Sequence, residues 1–182
     1  MLTWMLVLAA LQEDLGSLDQ WKKAGAWFEA GGAGLDPANP KLLAGTDGKG
    51  VLVNGKDGKA SNLLSSAEFG DVEAHVEFMV AKGSNSGIYF CGRYEIQVLD
   101  SFGKKDPSYS DCGGIYQRWD PKRGKGSEGF EGHAPKLNAS KAPGEWQSFD
   151  VVFRAPRFGP DGKKTSNATF VKVVHNGQLI HE

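Results

Sequence analysis

Strict alternation of apolar and polar residues is the feature that most constrains the fold of this chain. It is clearest in residues 71–80, DVEAHVEFMV, where every second side chain would point to the same side of an extended strand. That side carries Val72, Ala74, Val76, Phe78 and Val80. The 25 glycines and eight prolines divide the rest of the 182 residues into similarly short apolar runs, and helical periodicity is nearly absent. These patterns predict an all-β protein.

Further strands are predicted from short apolar runs between turn signals. The candidates are residues 27–30, 51–54, 62–66, 86–92, 93–100 and 145–155, and the final segment 167–182. Asn176-Gly177 lies between two apolar runs and indicates a type I′ hairpin. Strands at this spacing favour a sandwich or jelly roll, formed here by one domain over residues 21–182.

The first 20 residues are predicted to be a signal peptide and linker. Residues 2–11 form an apolar run that is too short to cross a bilayer as a helix, and the small residues Ala9 and Ala10 precede a polar stretch. No Lys or Arg precedes the run, so a buried first strand is the alternative. The signal-peptide interpretation predicts export to the periplasm, the cell surface or the medium.

The charge and the cysteines exclude few functions. A net charge of -1 gives no reason to expect binding to nucleic acid or to an anionic membrane. Cys91 and Cys112 could pair in an exported protein or could be two buried thiols, and the sequence leaves this open. No CxxC or paired Cys/His spacing indicates a structural zinc site. Glu95, Asp100 and a histidine could supply ligands to a divalent metal, but no spacing in the sequence requires one, so neither a metal nor a cofactor is predicted.

The segment RYEIQVLD, residues 93–100, places polar groups where a strand is expected. In an extended strand Arg93, Glu95 and Gln97 share one face, and the apolar residues between them share the other. Asp100 has the opposite parity, and a β-bulge near Leu99 would return it to the polar face. Without a bulge, Asp100 would cap the following turn. The alternative to a functional site is a solvated face with an Arg–Glu pair.

The residues around this strand favour carbohydrate as the ligand. Aromatic, amide and guanidinium groups occur at Asn85, Tyr89, Arg93, Tyr116, Gln117 and Trp119. Sugar sites combine aromatic platforms with such hydrogen-bonding groups. The spacing E-x-Q-x-x-D is also similar to the E-x-D-x-x-E signature of jelly-roll β-glucanases, in which paired carboxylates hydrolyse the glycoside. Gln97 replaces the central Asp here, which argues against that mechanism.

Four stretches together resemble the 3-keto-disaccharide hydrolase domain family. They are residues 84–101, 112–117, 141–158 and 173–182. The resemblance implies a concanavalin A-like jelly-roll sandwich of two antiparallel sheets, common in exported bacterial proteins. Cys91 departs from the expected pattern, residues 117–138 are predicted to form a variable loop with no motif that can be transferred, and the chain ends at Glu182, where family members usually continue. A truncated C-terminus is therefore expected.

The resemblance also implies an activity, the cleavage of glycosides oxidised at C3 of the sugar, and the roles of individual residues in that reaction are hypotheses drawn from the strand pattern. Glu95 is the candidate base and Asp100 its partner if the bulge exists, while Arg93 would hold the enolate oxygen or orient Glu95. Gln97, Tyr116, Tyr89 and Asn85 would bind the sugar. His133 would be a proton shuttle or, alternatively, an exposed loop histidine. The predicted partner is a glycoside, and the oligomeric state stays open. The other functions considered are a lectin-like binding module, a β-glucanase and an interaction domain.

Overall fold

A computed structural model describes residues 13–22 and 24–182 and shows an all-β protein. Its regular elements are twelve strands and two single turns of 3-10 helix, at Leu18–Gln20 and Pro121–Arg123. The strands are β1 Phe28–Leu35, β2 Leu43–Val53, β3 Val72–Met79, β4 Asn85–Phe90, β5 Tyr94–Leu99, β6 Arg118–Trp119, β7 Gly129–Phe130, β8 Trp146–Arg154, β9 Arg157–Phe158, β10 Lys164–Ser166, β11 Thr169–His175 and β12 Gln178–His181. All strand pairings are antiparallel.

The back layer is a four-stranded sheet in the order β12-β11-β8-β3. Its central strand β8 alternates as the sequence predicts, because Phe149, Val151 and Phe153 are buried while the residues between them are more exposed. Strand β3 shows the predicted alternation of half-buried and exposed residues from Val72 to Glu77. One face of this sheet therefore forms half of the core.

The front layer is built around β4 and β5, which pair without a register shift from Asn85–Leu99 to Phe90–Tyr94. Single bridges add the segment around Ile115 to β5 and the segment around His133 to Ile115. The inner face of this layer buries Phe90, Ile96 and Val98 against the back sheet, with the Phe90 and Phe153 ring centroids 5.0 Å apart. Two sheet layers thus enclose one apolar core, which confirms the jelly-roll sandwich.

Local turn chemistry is confirmed at the hairpin between β11 and β12. Asn176 and Gly177 have φ angles of 49° and 78°, the two positive values that a type I′ turn requires. The glycine-rich segment before residue 54, by contrast, forms a much longer hairpin than predicted, β1–β2. Gly31 lies at a bulge there, with the main chain of residue 47 so close that a side chain would collide with it.

Two predictions about residues outside the two sheet layers differ from the structure. Residues 62–66 form no strand, and only Ser65 pairs, in a single bridge with Trp21. The stretch 117–138, predicted as a loop, contains the short hairpin β6–β7, in which Arg118 and Arg123 stack on the Phe130 ring. The Ser65 bridge and the β6–β7 hairpin each pair residues that an intervening segment separates, and strand alternation does not record such pairing.

The predicted signal peptide and linker, residues 1–20, lie largely outside the described residues, which begin at residue 13. The following segment contacts the domain: the Leu18 amide donates to Glu29 Oε1 at 2.9 Å, and Ser66 N donates to the Gln20 carbonyl. Within the described part of the chain, no helix has the length and apolar character needed to cross a bilayer. Both cysteines are free thiols, Cys91 exposed in the β4–β5 turn and Cys112 buried.

Candidate functional site

Glu95 and Tyr89 form the centre of the candidate site. They are directly opposite each other on β5 and β4, and the Tyr89 hydroxyl donates a 2.6 Å hydrogen bond to Glu95 Oε2. Gly87 makes room for the carboxylate, because a Cβ atom at that position would collide with Glu95 Oε1. The alternation of β5 therefore places Ile96 in the core and Glu95 on the outer face of the front layer, as the sequence predicts.

Partial burial changes the acidity of both groups. Burial raises the pKa of Glu95, and the hydrogen bond from Tyr89 offsets part of that increase. Burial and the hydrogen bond to Glu95 raise the pKa of Tyr89 to about 12. The pair thus consists of a phenol that keeps its proton at neutral pH and a carboxyl oxygen that accepts a hydrogen bond from it. This is an acid and a base held in contact.

Gln97 is a structural support for the same face. Its side chain is 3% exposed, and its amide nitrogen donates to Asn85 Oδ1 and to the Ser110 carbonyl, each at 3.2 Å. Both amide hydrogens are therefore occupied by the protein. Gln97 connects β5 to the exposed Asn85 on β4 and to the loop that follows Asp100.

Tyrosines border the pair on the side of the Ile115 segment. The Tyr116 amide donates to the Glu95 carbonyl at 3.0 Å, and the Tyr116 ring meets Tyr109 edge-on with centroids 5.8 Å apart. Tyr109 occupies space left by Gly132, where a Cβ atom would stand 2.6 Å from its ring. Three of the four tyrosines of the chain thus lie on or beside this face.

A buried carboxylate fixes the loop that carries Tyr109. Asp111 is 3% exposed and accepts hydrogen bonds from Lys104 Nζ, the Ser108 amide and the Ser108 hydroxyl, each 2.7 Å at its closest. Burial acts to raise the pKa of Asp111, but these hydrogen bonds outweigh it and hold the pKa below its usual value. The sequence analysis missed Tyr109 and Asp111. The available signal was the spacing of Ser108 and Asp111, three residues apart in a loop between two glycines.

Three predicted site residues lie away from the Glu95 carboxylate or differ from their expected setting. Asp100 does not join Glu95, because β4 and β5 pair without a bulge, and its Oδ2 instead accepts from the Gly83 amide at 2.9 Å. This corrects the conditional role given to Asp100 and matches the turn-capping alternative. Arg93 lies in the exposed turn before β5 and not on the strand. His133 is exposed and borders a different cleft, together with Lys136 and His181.

The geometry gives no cluster of metal ligands in the part of the chain that the structure describes. Within residues 13–22 and 24–182, no three His, Cys, Asp or Glu side chains come close enough to hold one ion. Trp119, 65% exposed on β6, is a further aromatic surface that the sequence analysis included among its sugar-binding groups. The site as described is a carboxylate–phenol pair bordered by aromatic and amide groups.

The all-β sandwich does not define a function by itself, and the comparisons with known proteins indicate the class to which the chain belongs. The chain belongs to the 3-keto-alpha-glucoside-1,2-lyase-like domain family, whose model matches residues 13–182. The resemblance noted from the sequence is thereby confirmed. No functionally curated protein gives a significant match to the chain.

A solved structure gives the same indication. It comes from Parabacteroides distasonis and is described as that of a "putative glycosyl hydrolase". The two proteins share 29% sequence identity with a TM-score of 0.50, over 65% of this chain. The matched region spans about half of that protein, 47% of its length. Family and neighbour together support a carbohydrate-acting, enzyme-like function.

Proposed function

We propose that this protein cleaves 3-keto-glycosides by removing the proton at C2 and expelling the substituent at C1. The observation that carries the proposal is the Glu95 carboxylate, which is half-buried, has a raised pKa and is held by the Tyr89 hydroxyl on an accessible face. Such a carboxylate is a better base than a fully solvated one. The family to which the chain belongs supports the choice of substrate.

The C3 ketone makes this reaction feasible for a single carboxylate. It acidifies the hydrogen on C2, so that Glu95 can remove it and leave an enolate. Collapse of the enolate restores the ketone, forms a C1–C2 double bond and releases the C1 substituent. Water can then add across that double bond to give the free keto sugar. Hydrolysis and elimination therefore differ only in whether hydration follows.

The remaining residues of the face have supporting roles in this proposal. Arg93, exposed two residues before Glu95, is the candidate to stabilise the enolate oxygen. The exposed Asn85 and the half-buried Tyr116 would hydrogen-bond to sugar hydroxyls. Gln97 would act by holding Asn85 and the Ser110 loop in position, since its amide hydrogens are already donated.

A β-glucanase mechanism has less support from the geometry. A retaining glycosidase requires two carboxylates about 5 Å apart. Gln97 occupies the central position of the motif here, and the Asp100 carboxylate binds the Gly83 amide beyond the end of β5. Glu95 is thus left with a phenol as its closest partner.

The test is an assay of the purified protein with a 3-keto-glucoside and its unoxidised parent. We expect release of the C1 substituent from the keto sugar only, with the enone or the hydrated keto sugar identified by NMR. Release from the parent would overturn the proposal in favour of a glycosidase. Binding without release from either sugar would overturn it in favour of a lectin-like module.

A further inference from the structure

We propose that Tyr109 is a specificity-determining residue, which binds the leaving group attached to C1, and that the buried Asp111 positions it. This inference rests on the proposed function and adds to it a second binding position with its supporting residue. It starts from residues 108–111, which lie on the outer face of the front layer beside Glu95. We refer to this segment as the side wall.

Strand register places the side wall next to the candidate base. The bridge between Ile96 and Ile115 sets Gln97 opposite Gly114, and residues opposite each other in a sheet point to the same face. Glu95 is two residues before Gln97 and therefore shares that outer face. Gln97 and Gly114 thus form the row of outward positions that follows the row of Glu95.

The side wall covers this row and leaves the row of Glu95 open. The Ser110 carbonyl accepts a hydrogen bond from the Gln97 side chain at 3.2 Å. A Cβ atom at Gly114 would collide with the Tyr109 carbonyl, so the main chain lies directly over that glycine. Gln97 is therefore 3% exposed, whereas Glu95 keeps a surface that faces solvent. The two rows form a step, with Glu95 on the lower level and Tyr109 on the upper level.

The Tyr109 ring lies at one side of this step. It packs over Gly132, the residue opposite Tyr116 in the neighbouring segment, and it is half-buried, so part of it faces solvent. Neighbouring strands are about 4.8 Å apart, which puts Gly132 about 10 Å from Glu95 across the sheet. A side chain at this distance is beyond the sugar that loses its C2 proton but within reach of the unit attached to that sugar.

The proposed chemistry directs C1 of the sugar toward the side wall. C2 of the substrate lies over Glu95, and the oxygen on C3 is assigned to Arg93, which precedes β5. C1 and C3 are on opposite sides of C2, so C1 points toward the other end of β5. At that end Gln97 is covered by the side wall.

An α-linked leaving group also needs a contact above the sheet. In a glucoside of D-gluco configuration, the C2 hydrogen and an α-glycosidic oxygen project from opposite faces of the ring. With the C2 hydrogen directed at Glu95, the α-linked substituent projects away from the sheet. Tyr109, on the upper level of the step, is placed to meet it. This arrangement agrees with the α-glucosides named in the description of the family.

Asp111 holds the side wall in this place. Its buried carboxylate accepts hydrogen bonds from Lys104 and Ser108, which precede it in the same loop. The Asn138 side chain donates to the carbonyls of Ser101 and Lys104, at 2.6 and 3.0 Å, and so connects the loop to another segment of the chain. A loop fixed at several points keeps Tyr109 in one position before the substrate arrives, which lowers the entropy cost of binding.

The test compares two 3-keto-α-glucosides that differ only in the leaving group. The leaving group of a 3-keto-α-disaccharide is a second sugar, whereas that of methyl 3-keto-α-glucoside is methanol. For Tyr109→Ala we expect kcat/KM to fall by about 10-fold or more for the disaccharide, mainly through KM, and to change by less than about 3-fold for the methyl glucoside. Phe158→Ala is the matched control, because Phe158 is an exposed aromatic residue on β9, outside the front layer, and both values should stay unchanged.

Asp111→Asn separates positioning from stability. The variant loses the ion pair with Lys104, so its melting temperature should fall. In the folded variant, KM should rise for the disaccharide and stay unchanged for the methyl glucoside. A lower melting temperature with both KM values unchanged would assign Asp111 to stability alone and overturn its positioning role. If this variant does not fold, Tyr109→Ala decides the inference.

The remaining outcomes separate this inference from the proposed function. Equal changes for both substrates in Tyr109→Ala, or no change for either, would overturn the inference while turnover kept the proposed function intact. If neither 3-keto-glucoside reacts, the proposed function fails, and calorimetry with the unoxidised α-disaccharide then tests the leaving-group site. Weaker binding of that sugar by Tyr109→Ala, with binding of methyl α-glucoside unchanged, would support the site, and equal affinities of the variant and the unaltered protein would overturn it.

Discussion

His175 and Glu95 each have a pKa that burial shifts, and the regions around them differ in access to solvent. His175 on β11 is completely buried, its ring lies 4.6 Å from that of Phe149, and burial lowers its pKa to about 4. Glu95 on β5 is only partly buried, and its partner Tyr89 is half exposed. Burial shifts both groups away from their charged forms, but only Glu95 can meet a substrate.

The hydrogen bonds around His175 connect structural elements of the protein. His175 Nε2 lies 3.1 Å from Gln147 Oε1, which also accepts from the Lys141 amide, and Asn176 donates to the Ala139 carbonyl. These contacts tie the β11–β12 hairpin to β8 and to the preceding loop. A perturbed pKa is therefore evidence for a functional site only when the group is also accessible. We assign His175 to stability and Glu95 to chemistry, and the following experiments test that division.

The largest expected effect is on turnover in Glu95→Gln. Removal of the base should lower kcat/KM for a 3-keto-glucoside by about 1,000-fold or more. The melting temperature should stay the same or rise slightly, because the ionised carboxylate is disfavoured by its surroundings at neutral pH. Steady-state kinetics and calorimetry on the same preparation check both points. Full activity would exclude Glu95 from the mechanism.

His175→Ala should have the opposite profile. Loss of a fully buried ring beside Phe78 and Phe149 should lower the free energy of unfolding by about 3 kcal/mol. The folded fraction should keep its kcat, measured below the unfolding transition. His75→Ala is the control, because His75 is exposed and its contact with Asp150 should contribute less than about 1 kcal/mol. A large decrease in kcat for folded His175→Ala would contradict the assignment of His175 to stability alone.

The stability of the protein should also depend on the pH in a defined window. The pKa of His175 is about 4 in the folded protein against 6.5 ordinarily, so the unfolded chain binds more protons between these values. The free energy of unfolding should therefore rise with pH from about 4 to 6.5, by about 3 kcal/mol from this residue. Urea titrations across this window measure the slope. An unchanged slope in His175→Ala would assign it to other groups.

Gly87→Ala tests the space that the carboxylate needs. The added methyl group would collide with Glu95 Oε1 and displace the base, so we expect kcat to fall by about 10- to 100-fold with a modest change in stability. Gly34→Ala is the matched control, since Gly34 is also in a strand and has open space at its Cβ position. Equal activities in the two variants would show that the exact position of the carboxylate is unimportant.

The smallest expected effect is a shift, along the pH axis, of the acidic limb of the profile of kcat/KM against pH. The kcat/KM should fall as the pH falls through the pKa of Glu95, at a higher pH than for an ordinary glutamate. The Tyr89 hydrogen bond lowers that pKa, so Tyr89→Phe should move the limb to higher pH. Profiles of kcat/KM against pH for both proteins, with the same 3-keto-glucoside as substrate, measure the displacement. A limb that moves to lower pH would contradict the assigned contact.

Local patterns predicted the parts of the structure that local physics determines. The alternation in β3 and β8, the Asn176-Gly177 turn and the outward face of Glu95 all follow from strand periodicity or from required φ angles. The burial of Gln97 could not be predicted, because it depends on Ser110 in a loop that folds back. The conditional role of Asp100 required a bulge near Leu99, and the pairing of β4 with β5 contains no such bulge. The position of Tyr109 could not be predicted either, because its ring packs against Gly132 in a different loop.

The Gly87, Tyr89 and Glu95 arrangement lies within a single hairpin, and its register depends on the turn Cys91–Arg93. Since neighbouring residues of a strand point to opposite sides, a one-residue slip of β5 would exchange Glu95 with Ile96. The carboxylate would enter the apolar core and an isoleucine would replace it beside Tyr89. Substitutions in this turn should therefore be tolerated far better than insertions or deletions. The three-residue length of the turn fixes the register that keeps the Glu95 carboxylate on the outer face.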